Sequence, residues 1–158
     1  MANLRVRSSN HSFLASTAYL PSAISGCHVY CSSATSAVGS ASTKIAFDTE
    51  LFDIAGEFAS NKFTVTTAGY YFIHVSVCLV DFGDAQALQA RIYKNGSSIQ
   101  QGRINNGKTD HLTSQVTTVK YLAASDYIEG YVFNGWGTAK NTVTGDNVDT
   151  YMIIMRLT

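Results

Sequence analysis

From Lys44 onward, apolar and polar residues alternate in short runs broken by turn residues, and no stretch repeats with the period of a helix. Runs rich in Val, Ile, Thr, Tyr and Phe predict strands near 44–48, 62–66, 70–80, 87–94, 97–103, 112–122, 127–134 and 150–157. "KNGS" (94–97) predicts a two-residue hairpin, because Asn-Gly accepts the positive φ that a type I′ turn requires at both central positions. "NNG" (105–107), "NGWG" (134–137) and "TGDN" (144–147) read as further turns. Many short strands, Gly-rich turns and a single proline predict an all-β sandwich or jelly roll.

Two of these strands are apolar on both faces. In "GYYFIHVSV" (69–77), Tyr71, Ile73, Val75 and Val77 point one way, and Tyr70, Phe72, His74 and Ser76 the other. The first set is an ordinary core face. The second begins with large aromatics, whose exposure to water costs about 25 cal/mol per Å². In "YMIIMRL" (151–157), Tyr151, Ile153, Met155 and Leu157 share one face, and Met152 and Ile154 the other. Such a sheet needs two covers. One is the partner sheet; the other is a neighbouring subunit or the N-terminal residues folded back.

Ahead of Lys44 the texture differs. Residues 1–31 carry scattered apolar side chains with no sustained period, and read as an N-terminal arm with Phe13, Leu14, Tyr19 and Leu20 as docking candidates. Residues 32–43, "SSATSAVGSAST", read as a small-residue linker. They lack the glycine at every third position of a collagen stalk. The expected organisation is thus an arm (1–31), a linker (32–43) and a jelly-roll domain (44–158).

Charge narrows the partners. Eleven basic and eleven acidic residues leave no net field for nucleic acid or an anionic membrane. Charged residues make up 14% of the chain, against about 25% in typical soluble domains. That poverty suits a protein that buries surface in an assembly. No run approaches the roughly 18 apolar residues of a membrane-spanning helix. The first residues lack the uninterrupted apolar core of a signal peptide, so synthesis in a cytoplasm is expected.

Three cysteines cannot all pair within the chain. Along a strand, Cys27 and Cys31 would lie about 13 Å apart at about 3.3 Å per residue. A disulfide spans roughly 4.4–6.8 Å. Zinc would need a second ligand pair, and none stands at recognisable spacing. Buried small residues on one strand face are therefore expected at 27 and 31, and a core position at Cys78.

"KFTVTTAGYYF" (62–72) resembles the signature of C1q-like domains, with Phe63, then Gly69 and Tyr71 in the Gly-x-Tyr element. "FDTELFD" (47–53), "YKNGSSI" (93–99), "ASDYIEGYVF" (124–133) and "TYMIIMRL" (150–157) resemble that family's further landmarks, in order. Ile73 and Val75 depart from it, standing where aromatics are usual. The resemblance implies a ten-stranded antiparallel jelly-roll sandwich of the C1q/tumour-necrosis-factor type, assembled as a homotrimer. It makes Tyr70, Phe72, His74, Met152 and Ile154 the trimer-interface candidates.

No phosphate loop, HExxH, paired CxxC or nucleophile elbow is present. No catalytic, cofactor or metal site is expected. A sugar-acting enzyme would need two of Asp126, Glu129 and Asp149 facing across a cleft. His74 at an interface would hold a hydrogen bond, bind an ion or sense pH. Asp146 and Asp149 read as an Asx turn rather than a calcium site. Trp136 is a partner-contact candidate in its loop. C1q-like domains behind a short arm resemble phage virion proteins. The expected function is a non-enzymatic capsid decoration (cement) or short head-fibre protein of a virion, docked on the major capsid or another virion protein. The alternatives are a tail-fibre tip binding a host-surface receptor, and a secreted cytokine-like ligand.

Overall fold

The computed structural model describes residues 24–82, 86–105, 110–145 and 148–158. The arm candidates Phe13, Leu14, Tyr19 and Leu20 lie outside the described residues, as does Asp146. The strands in chain order are β1 (Gly26–Tyr30), β2 (Ser36–Ala37), β3 (Ala41–Lys44), β4 (Thr49–Asp53), β5 (Phe58–Ala59), β6 (Lys62–Thr64) and β7 (Gly69–Phe82), followed by β8 (Ala87–Lys94), β9 (Ser97–Asn105), β10 (Asp110–Leu122), β11 (Tyr127–Asn134), β12 (Lys140–Asn141) and β13 (Tyr151–Arg156).

The first sheet runs β10-β7-β13-β1-β4, and the second β5-β6-β11-β8-β9, with β3 on the free edge of β11 beyond β6. β2 and β12 form a separate pair. Every inter-strand pairing among the described residues is antiparallel. The chain crosses repeatedly between the sheets, which makes this a jelly-roll sandwich of a five-stranded and a six-stranded sheet. The expected hairpin is present: Asn95 and Gly96 have φ of 51° and 78°, and Lys94 pairs with Ser97.

The domain does not begin at Lys44. β1 lies inside the first sheet, between β13 and β4, and β3 joins the second, so residues 26–44 are part of the sandwich. β1 is five residues long, and its pairing partners lie far along the chain, as in Cys27 opposite Ile154. Ser25 ties in through its side chain, which donates to the buried Glu57 carboxylate. The same carboxylate accepts the Thr66 amide and hydroxyl. The run expected at 44–48 is not one strand either; β3 ends at Lys44 and β4 starts at Thr49.

Tyr71, Ile73, Val75 and Val77 are fully buried between the sheets, as the alternation predicted. Phe63 of the second sheet meets Tyr71 of the first edge-on, with ring centroids 6.0 Å apart. The Tyr71 hydroxyl donates to the Thr67 carbonyl at 2.7 Å, so the buried phenol is satisfied. A side chain at Gly130 would place its Cβ 2.8 Å from the Phe47 ring, so glycine there makes the space that Phe47 fills. Cys27, Val29 and Cys31 are buried on one side, and all three cysteines are free and buried.

Candidate functional site

Residues directly opposite one another in antiparallel strands share a face. The outward face of the first sheet can therefore be mapped from its register. Tyr121, Val119, Thr117 and Gln115 of β10 stand opposite Tyr70, Phe72, His74 and Ser76 of β7. Phe72, His74 and Ser76 stand opposite Met155, Ile153 and Tyr151 of β13. Ile153 and Tyr151 stand opposite His28 and Tyr30 of β1. Not one of these thirteen positions is Asp, Glu, Lys or Arg. Several side chains are open: Tyr70 is 52% exposed, Val119 51% and Tyr121 56%.

This face brings together three of the expected interface residues, Tyr70, Phe72 and His74, and excludes two. Met152 and Ile154 are 0% exposed and belong to the core. They stand opposite Val75 and Ile73, so they point between the sheets. Their place is taken by Tyr151, Ile153 and Met155. Both faces of β13 are apolar, so polarity carried no information about which one pointed inward.

His28 was not foreseen as a member of this face. Its ring lies 5.5 Å from that of Tyr151 and 6.1 Å from that of Phe52. The ring of His74 lies 5.4 Å from Tyr151 on the other side, and its Nδ1 shares a 2.7 Å hydrogen bond with the Thr117 hydroxyl. The Nε2 atoms of both histidines are shielded from solvent and have no hydrogen-bond partner among the described residues. Burial lowers both imidazoles below their ordinary 6.5. The available signal for His28 was its place in "CHVYC", where alternation with Cys27 and Val29 turns it outward.

The second sheet treats its outward face differently. The Arg91 guanidinium lies 4.6 Å above the Phe133 ring and donates to the Ser42 hydroxyl at 2.7 Å. Lys62 caps Tyr127 at 4.9 Å. Lys44 pairs with Glu129 at 2.7 Å, and Tyr93 stacks on Tyr131 with centroids 4.0 Å apart. Its aromatics are thus covered by the chain's own cations and by each other.

Two of the three carboxylates considered for sugar chemistry are committed elsewhere. Glu129 holds Lys44, and Asp126 holds Lys94 at 2.7 Å, the Asn95 side chain and the Ala123 amide. Trp136 is half-buried against the core, with the Lys140 ammonium 4.2 Å from its ring centroid. Among the described residues no three His, Cys, Asp or Glu side chains are grouped to hold a metal ion.

No family model matches the sequence, and no curated protein matches it. Solved structures do match in shape. A murine APRIL structure at pH 5.0 superposes with a TM-score of 0.65 and 13% identity, over 85% of this chain and 100% of that one. Eiger TNF from S. frugiperda gives 0.68 and 10%, over 87% and 94%. The globular domain of zebrafish complement 1qA protein gives 0.63 and 15%, over 86% and 98%. The chain therefore has a C1q/tumour-necrosis-factor-like jelly-roll fold.

Proposed function

Starting from that jelly roll, we propose that the chain is a non-enzymatic structural module that assembles as a homotrimer through the outward face of its first sheet. The observation that carries this reading is the contrast between the two outward faces. One, across β10, β7, β13 and β1, is apolar, partly open and has no Asp, Glu, Lys or Arg at its thirteen paired positions, while the other is capped by Lys44, Lys62 and Arg91. A face with no charge loses little on leaving water and gains about 25 cal/mol per Å² of apolar area buried. A second and third copy are the natural cover, because the low overall charge leaves little else to keep such a face in solution.

The assembly is a virion component in this reading, a capsid decoration or short head-fibre protein of a bacteriophage. The N-terminal residues, with Phe13, Leu14, Tyr19 and Leu20, dock on the major capsid protein or another virion protein. Support comes from the low charge and from the apolar side chains spread through an otherwise polar segment. Size exclusion with light scattering tests the assembly: a trimer has a mass of 51.3 kDa, three times the 17.1 kDa chain. A monomer at that step sinks the reading. Counting copies in purified particles tests the role. Hundreds per particle fit decoration; a few copies, with the free protein blocking adsorption, assign it to a receptor-binding tip instead.

A further inference from the structure

Within the uncharged face, the two imidazoles hold a special position. His28 and His74 flank Tyr151 from opposite sides, and each holds a shielded Nε2 that has no hydrogen-bond partner among the described residues. From β13 they face Ile153 and Tyr151; from β10, His74 faces Thr117; from β4, His28 faces Phe52. The one titratable group in that set is the Tyr151 phenol. On β4 the register slips between His28 and Val29; Asp53 stands opposite Cys27, and the exposed Glu50 lies two residues from Phe52. A proton on Nε2 would thus find no acceptor among the described residues of its own chain.

We propose that His28 and His74 make the assembly acid-labile: protonation of these two side chains releases the subunits while each jelly roll stays folded. This inference rests on the trimeric reading above. The direction follows from linkage. Burial lowers both imidazoles in the folded chain, and covering the face by another subunit lowers them further. The assembled form therefore binds fewer protons than the separated chains. It is unpenalised above the value of the separated, folded subunit, which already lies below the ordinary 6.5, and is progressively weakened as pH falls below that value, until the still lower one of the assembly is passed. Each unit by which assembly lowers one histidine weakens association about tenfold once that histidine is protonated. Two such groups per subunit make the effect steep.

The test is light scattering on the full chain at about pH 8 and about pH 5, with far-ultraviolet circular dichroism on the same samples. A trimer at high pH that becomes a folded monomer in acid, with a His28→Gln/His74→Gln variant remaining trimeric in acid, supports the proposal. If the double variant does not fold, the single variants are compared, and each is expected to shift dissociation to lower pH. A trimer that persists in acid overturns the proposal and leaves the trimeric reading intact. Unfolding in acid, or a double variant that dissociates like the parent, overturns it too. A monomer already at high pH removes both readings together.

Discussion

Tyr70 and Tyr121 face each other across β7 and β10, ring edge to ring face, with centroids 5.5 Å apart and more than half of each residue open to solvent. Two large aromatics arranged this well inside the chain still have most of their surface uncovered. On the opposite face of the sandwich, Tyr93 and Tyr131 stack at 4.0 Å and sit among the chain's own cations. The difference between these two tyrosine pairs defines which face seeks a partner.

A charge placed on the open face should break the assembly without unfolding the subunit. Phe72 points outward between Val119 and Met155. Phe72→Glu is expected to cost about 3–5 kcal/mol of association, since a lone carboxylate would be buried at the interface. The measured mass should fall from 51.3 kDa, three chains, to the 17.1 kDa of one chain, with the circular dichroism spectrum kept. Phe133→Glu, on the cation-capped face, should leave the mass unchanged.

Neighbouring positions on β13 should respond in opposite ways. Met152→Ala opens a cavity between the sheets and should lower folding stability by about 2–5 kcal/mol, read by denaturant unfolding. Ile153→Ala removes an outward side chain opposite His74. It should weaken assembly while changing subunit stability little. Equal effects of the two substitutions on both quantities would contradict the assigned register.

The three thiols should be silent toward alkylation in the native protein. Burial pushes the Cys31 thiol up to about 12, and raises those of Cys27 and Cys78 as well, with nearby carboxylates adding to the effect. A thiol reagent at neutral pH should modify none of them until denaturant is added, and then all three. Rapid modification of the native chain would show that β1 opens from the sheet.

Asp126 should make the hairpin sensitive to acid. Burial raises its carboxyl, but the hydrogen bonds from Lys94, Asn95 and the Ala123 amide outweigh that and hold it below its ordinary 3.8. A depressed carboxyl contributes stability above the ordinary value and loses it as pH falls through the lowered one. Asp126→Asn should cost on the order of 1 kcal/mol at neutral pH, because the amide keeps the shape of the side chain but loses the charge-assisted bond to Lys94. It should also flatten the decline in stability below about pH 4. Thermal unfolding across that range checks both.

Local sequence determined much of this protein. Alternation within "GYYFIHVSV" placed Tyr71, Ile73, Val75 and Val77 inward and Tyr70, Phe72 and His74 outward, because a strand's period of two is a property of the backbone itself. Asn95 and Gly96 declared their turn because few other residues accept their φ. Tertiary structure decided the rest. β1 and β3 exist through pairing with β13, β4 and β11, strands remote in the chain, and five residues carry too little pattern to announce that. The orientation of β13 was equally hidden. With Met152 and Ile154 on one side and Tyr151, Ile153 and Met155 on the other, only the register against β7 settles which side enters the core. That same register sets His28 and His74 on either side of Tyr151, a juxtaposition of three strands that no single stretch of sequence contains.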